Sequence, residues 1–219
     1  MLVILAGGEI NNYQELKKVT LQADYIICAD GGARHAYRMK VIPDVIIGDM
    51  DSLNPAILDY FKNKDIEIIR YPSEKDEVDT ELAIRQGIKL GFKEMILLGA
   101  TGGRLDHTLA NIHLLIKAAQ LATQVKIVDE HHRLYLVTPQ LATEINGVPG
   151  QIVSLIPLTE KVKGVYTQGL KWELHNGTFA VGNPFGVSNQ LTSNQARIKI
   201  SEGILLVIEI ISEEKQSGS

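Results

Sequence analysis

Between residues 2 and 128 the chain alternates short β-branched apolar runs with stretches of helical spacing, and this alternation constrains the fold more than any other feature. Strands are expected at residues 2–6, 25–29, 45–47, 66–70, 95–98 and 125–128. Apolar runs of four to eight residues flanked by Gly, Asp or Pro are what strands buried on both faces look like. Helices are expected between them at residues 13–20, 33–39, 55–63, 76–90 and 106–122. On the last, Leu105, Leu109, Ile112, Ile116 and Ala119 recur at helical spacing. Gly91 is a natural helix stop and Pro55 suits a first helical turn. Strands separated by helices imply a parallel sheet.

After about Thr138 the texture changes. Short runs at residues 151–156, 162–167, 170–174, 178–181, 196–200 and 204–211 are separated by Gly, Asn and Pro. Asn176-Gly177 is a two-residue hairpin signal. The expected organisation is an α/β, Rossmann-like parallel-sheet domain over residues 1–138. A smaller all-β sandwich over residues 139–212 and a polar, flexible tail at 213–219 follow it.

Charge and cysteine usage exclude several roles. A net charge of −4 gives no basic footprint for nucleic acid. The apolar runs fall far short of the ~20 residues that span a bilayer, and the N-terminus runs into Gly7-Gly8-Glu9 without a basic flank, as a strand and not a signal peptide. Cys28 is the one cysteine, so a reducing cytoplasm is expected. No phosphate-binding Gly-x-x-x-x-Gly-Lys-[Ser/Thr] loop, nucleophile elbow or His-Glu-x-x-His is present.

All eleven aspartates lie at or before Asp129, which directs attention to the first part. In an open parallel sheet, ligands bind outside the carboxyl ends of the strands. Four such junctions carry Asp30-Gly31-Gly32, Asp49-Met50-Asp51-Ser52, Asp76-Glu77-Val78-Asp79 and Thr101-Gly102-Gly103-Arg104-Leu105-Asp106-His107. Clustered carboxylates repel one another unless a cation joins them. In an extended segment Asp49 and Asp51 point to one side. Asp76 and Asp79, three apart, share a face at a helix N-terminus. Oxygen ligands without a Cys or His cluster favour Mg²⁺, which is commonly held together with substrate phosphates. Gly31, Gly32, Gly102 and Gly103 let backbone N–H groups approach phosphate, and Arg104 adds a forked cation. The residues alone fit a nucleotide-dependent transferase, a hydrolase of a nucleotide diphosphate bond, or a nucleotide-sensing module.

The four junctions, in this order and spacing, resemble the thiamin pyrophosphokinase (thiamin diphosphokinase) family. Leu170-Lys171-Trp172 and Gly186-Val187-Ser188-Asn189 are similar to its second domain, so the resemblance covers nearly the whole chain. The chain departs from the family pattern at Val78, where Thr is expected, and keeps both flanking carboxylates. The resemblance implies transfer of the diphosphate of ATP to the hydroxyl of thiamin, giving thiamin diphosphate and AMP. It implies Mg²⁺ on Asp49, Asp51 and Asp79, with Asp76 beside them as a further catalytic carboxylate. It implies an ATP pocket from Asp30, Gly31, Gly32, Thr101, Gly102, Gly103, Arg104 and Asp106. Thiamin would meet Trp172, Ser188 and Asn189, in a homodimer with a shared active site.

Overall fold

The computed structural model describes residues 1–211, so the expected tail at 213–219 lies outside the described residues. The chain forms two compact units, Met1–Glu130 and the residues from His131 onward.

The first unit is α/β. Its strands are β1 (Leu2–Leu5), β2 (Tyr25–Ala29), β3 (Val45–Gly48), β4 (Glu67–Arg70), β5 (Glu94–Leu98) and β6 (Gln124–Val128). Its helices are α1 (Tyr13–Thr20), α2 (Ala33–Met39), α3 (Pro55–Lys62), α4 (Asp79–Lys89) and α5 (Leu105–Gln120). The strands lie in the order β6-β5-β1-β2-β3-β4, and every pairing among them is parallel. All four residues of β1 and of β3 are buried, as continuous apolar runs covered on both faces require. Val3, Leu5, Cys28, Ile46 and Leu98 pack on one face with Leu16, Ala36, Met39, Leu58 and Phe61. Local signals set the helix ends. Asn12 accepts from the Glu15 N–H, Asn54 accepts from the Ala56 N–H, and Pro55 fills the first turn of α3.

One expectation is corrected here. The α4 helix starts at Asp79, three residues later than the spacing suggested, so Asp76 is not on its face. On α5 the buried residues are Asn111, Leu115 and Ala118, whereas Leu105 and Leu109 are 72% and 51% exposed. The apolar residues there share a helical spacing, but the face that meets the sheet is rotated from theirs.

The second unit is a β-sandwich of β7 (His132–Val137), β8 (Thr143–Asn146), β9 (Ile152–Pro157), β10 (Lys161–Gln168), β11 (His175–Ala180), β12 (Asn189–Gln190), β13 (Gln195–Lys199) and β14 (Leu205–Ile210). One sheet runs β12-β9-β14-β7 and the other β11-β10-β13-β8, all antiparallel. Tyr135, Val153, Leu155 and Val207 of the first meet Ile145, Val162, Val165, Phe179 and Ile198 of the second in one core. Asn176-Gly177 is not a hairpin turn. It lies inside β11, with Asn176 at φ 65°, where the register against β10 slips between Val165↔Gly177 and Tyr166↔His175. The left-handed residue serves a bulge. The chain turns instead through residues 169–174, of which 170–174 read as a strand from sequence. There Gly169 sits at φ 78° and the Thr167 N–H donates to the Leu174 carbonyl. No helix among the described residues is long and apolar enough to cross a membrane.

Candidate active site

In the first unit the chain steps outward from β1 to β4 and then returns to β5 on the other side of β1. The connections leaving β1 and β5 therefore diverge at their carboxyl ends, and such a switch point opens a crevice. A cleft of about 430 Å³ lies there, lined among others by Gly7, Gly8, Asp30, Gly31, Arg34, Asp79 and the loop Gly99–Arg104.

Its walls are tied backbone to backbone. The Gly8 N–H donates to the Gly99 carbonyl at 2.7 Å. A Cβ on Gly8 would stand 2.4 Å from that oxygen, so only glycine allows the approach. Buried Asn111 donates to the Ala100 carbonyl at 2.8 Å, and Thr101 Oγ1 donates to Asp129 Oδ2 at 2.8 Å. His35, 2% exposed, has Nε2 2.8 Å from the Gly8 carbonyl and Nδ1 2.8 Å from the Tyr13 hydroxyl. A carbonyl only accepts, so Nε2 carries the proton and the Tyr13 hydroxyl donates to Nδ1. Burial, reinforced by Arg34 and Arg38 and opposed by the Gly8 carbonyl and Glu130, holds this imidazole down to about 4.

The loop at Gly102 (φ 82°) and Gly103 (φ 66°) is left-handed at both residues, a conformation that exposes backbone N–H groups. Gly31 lines the cleft. Gly32 does not: it is buried on β1, where a Cβ would stand 1.8 Å from the Leu5 carbonyl. Arg34 Nη2 donates to the Gly8 carbonyl at 3.0 Å. Arg104 is exposed and paired with exposed Asp106 (Nη2–Oδ2 2.5 Å), an ion pair that holds the Asp106 carboxyl down to about 2.

Carboxylate oxygens of Asp30, Asp49 and Asp79 lie within 4.8 Å of one another. Asp30 is 6% exposed and its Oδ1 accepts no hydrogen bond. Burial, and then the charges of Asp79 and Asp49, push its carboxyl above the usual range, opposed by the polar Ser52 side chain and the Gly31 backbone beside it. Asp49 is held below that range, first by the Asp51 N–H, which donates to Asp49 Oδ1 at 3.1 Å. Lys75 forms ion pairs with Asp79 Oδ1 at 3.2 Å and Asp49 Oδ2 at 3.6 Å. Burial works against its charge, but the two carboxylates outweigh that and raise it. Three converging carboxylates with an orphaned buried oxygen suit a hard divalent cation.

The sequence-derived set is thus partly gathered. Asp49 and Asp79 meet, and Asp30 joins them. Asp51 is exposed and accepts from Ser52 Oγ at 2.9 Å. The extended segment expected to align Asp49 with Asp51 is broken by Met50 at φ 69°. Asp76 is exposed ahead of α4. Val78 caps α4 without a side-chain hydrogen bond, so the departure from Thr removes a capping hydroxyl. In the second unit, Trp172 and Asn189 are joined reciprocally. The Trp172 N–H donates to Asn189 Oδ1 at 3.1 Å, and Asn189 Nδ2 donates to the Trp172 carbonyl at 2.9 Å. Trp172 is 56% exposed, with the Lys171 ammonium 4.8 Å from its ring centroid. Ser188, at φ 62°, donates its N–H to Ser154 Oγ at 3.1 Å.

Sequence reasoning missed Gly7, Gly8, Arg34, His35 and the pairing role of Lys75. The glycine pair directly after the first strand was a usable signal, because a switch point must lie beside β1. Nothing in the local sequence marked His35.

Comparison with known proteins gives a consistent result. Residues 16–128 match the family model described as "Thiamin pyrophosphokinase, catalytic domain". Residues 140–205 match "Thiamin pyrophosphokinase, vitamin B1 binding domain". The chain is similar to the thiamine pyrophosphokinase of Bacillus subtilis, at 26% identity over 205 residues, covering 94% of this chain and 96% of that protein. A thiamine pyrophosphokinase of Oryza sativa is 26% identical over 208 residues, with 84% and 78% covered. Among solved structures, thiamin pyrophosphokinase from Geobacillus thermodenitrificans superposes with a TM-score of 0.83 at 26% identity, covering 98% and 99% of the two chains. The Bacillus subtilis structure has a TM-score of 0.85 at 23% identity, with 97% and 99% covered.

Proposed function

The chain belongs to the thiamin pyrophosphokinase family, and from that premise we propose how its residues carry out ATP:thiamin diphosphotransfer. The reaction forms a bond between the thiamin hydroxyl oxygen and the β-phosphorus of ATP. It breaks the bond from that phosphorus to the oxygen bridging the α- and β-phosphates, releasing AMP and the hydroxyl proton. Such transfers depend on alignment and charge neutralisation more than on covalent help from the protein.

The observation that carries the site assignment is the Asp30–Asp49–Asp79 cluster beside the glycine-walled cleft. In this reading the cleft binds ATP, with the Gly102–Gly103 backbone and Arg34 facing its phosphates. Thr101 and Asn111 hold that loop in place through Asp129 and the Ala100 carbonyl. Asp49 and Asp79, with Asp30 as the third carboxylate and Asp51 at the rim, hold Mg²⁺. When bound, that ion neutralises phosphate charge and polarises the phosphorus under attack. Trp172 offers an aromatic face to the flat, cationic thiamin, positioned by its exchange of hydrogen bonds with Asn189. The finer reading is a homodimer in which the α/β unit of one chain and the sandwich of its partner share each site. A cytoplasmic location rests on Cys28 as the one cysteine.

The test is product analysis by mass spectrometry after mixing the chain with ATP and Mg²⁺, with and without thiamin. Equal amounts of thiamin diphosphate and AMP, formed only with thiamin, are expected. AMP or ADP released without thiamin, or no transfer at all, overturns the reading.

A further inference from the structure

Three carboxylates this close need positive charge among them, and the chain itself brings one. Lys75 sits against Asp79 at 3.2 Å and Asp49 at 3.6 Å, and its ammonium also donates to the Pro72 carbonyl at 3.2 Å. Its side chain is 10% exposed, unusual for a residue type whose charged head normally stays in water. One positive charge against three negative ones leaves the cluster short, and the buried Asp30 Oδ1 without a donor marks the shortfall. Lys75 belongs to the connection between β4 and α4 and to neither element, so it can withdraw without breaking strand or helix pairing.

We propose that Lys75 is a tethered counter-ion that competes with a divalent cation for Asp49 and Asp79 and is displaced when the cation binds. This rests on the reading of the cluster as a cation site given above. Free metal then binds weakly, because it must evict an ammonium that gives up two carboxylates and keeps only the Pro72 carbonyl. A polyphosphate in the cleft supplies that pairing, so nucleotide and metal each tighten the other's binding. The coupling is reciprocal by linkage.

Electron paramagnetic resonance of Mn²⁺ tests this without turnover. Lys75→Met is expected to bind free Mn²⁺ at least tenfold tighter than the wild type. Lys75→Gln, equally neutral, serves should the methionine variant fail to fold. Saturating α,β-methylene-ATP is expected to tighten Mn²⁺ binding to the wild type tenfold or more, and to do so less in the variants. Equal Mn²⁺ affinities in wild type and neutral variants overturn the proposal. A second measurement needs no variant: Mn²⁺ alone, at a concentration that saturates the resonance titration, is expected to speed acetylation of Lys75 several-fold by peptide mass spectrometry. An unchanged rate also overturns it. Neither measurement contains thiamin. A chain that passes both yet makes no thiamin diphosphate loses the acceptor assignment alone, and an active transferase with equal Mn²⁺ affinities loses the counter-ion alone.

Discussion

Asp30→Asn should stabilise the metal-free protein while abolishing its activity. Asp30 is buried, one of its oxygens has no donor, and carboxylates of Asp49 and Asp79 lie within 4.8 Å. At an effective dielectric of about 20, one such pair repels by about 3.5 kcal/mol. Lys75 is paired with Asp49 and Asp79 and offsets part of these repulsions, and a raised carboxyl relieves more by holding its proton longer. Replacing the charge by an amide, which can donate to the neighbouring carboxylates, should return about 1–3 kcal/mol. At ~2–4 °C per kcal/mol for a chain of this size, the melting shift is measurable. The sign with pH follows from the direction of the shift. Burial and two like charges raise the folded carboxyl above its unfolded value, so the native state binds the extra proton. The penalty is complete above the folded value and disappears as pH falls to the unfolded value of about 3.9. Calorimetry in chelator at pH 7.5 should therefore show the variant melting higher, with the gap closing towards pH 4. Added Mg²⁺ should stabilise the wild type and leave the variant unchanged. A variant that melts at or below the wild type at pH 7.5 without metal refutes the idea that the cluster is strained until a cation binds.

His35 is held neutral down to about 4 chiefly by burial, so its contribution is complete above the unfolded value of about 6.5 and is lost as pH falls between the two. That window should cost the wild type about 3 kcal/mol, read as urea midpoints at pH 7 and 4.5; a His35→Gln variant with the same slope counts against it. Arg34→Ala should weaken nucleotide binding more than Arg104→Ala by calorimetry, because both line the cleft but Arg34 is anchored on the Gly8 carbonyl whereas Arg104 is exposed and spent on Asp106; the reverse ranking would reassign the phosphate contact. Val78→Thr should restore a capping hydroxyl to α4 and stabilise by about 1 kcal/mol in denaturant melts. Asp49→Asn keeps an acceptor for the Asp51 N–H and so should fold but not turn over, as should Trp172→Ala; mixing the two should recover activity in heterodimers verified by native mass spectrometry, and no recovery there means the site lies within one chain.

The parallel sheet was legible because its cause is local. A strand covered on both faces must be apolar throughout, so β1, β2 and β3 each stand out as an unbroken run against the helical spacing beside it. The sandwich was legible as a class and less so in detail. A left-handed residue before glycine satisfies a hairpin turn and a bulge equally well. Only the register of β10 against β11 decides that Asn176 serves the bulge. Orientation on α5 was not legible, for a related reason. Spacing identifies residues that share a face, but which face meets the sheet depends on tertiary packing, and there buried Asn111 faces inward to reach the Ala100 carbonyl.

At the site the same division separates Asp49 and Asp79 from Asp51. That the aspartates converge follows from topology, since parallel strands deliver their carboxyl ends to one edge. Which of them point together is decided by single backbone angles. Met50 at φ 69° turns the Asp49–Asp51 segment out of the extended form that would have aligned the pair. Asp30, itself at φ 40°, is carried into the cluster from a different strand. Neither residue is a glycine; aspartate tolerates the left-handed region better than most, but nothing in the sequence announces it at Met50. Such conformations cost free energy and persist only where the surroundings fix them. Two of them flanking a group of carboxylates that repel one another mean that folding energy is spent on holding like charges together, and a cation bound there would recover it.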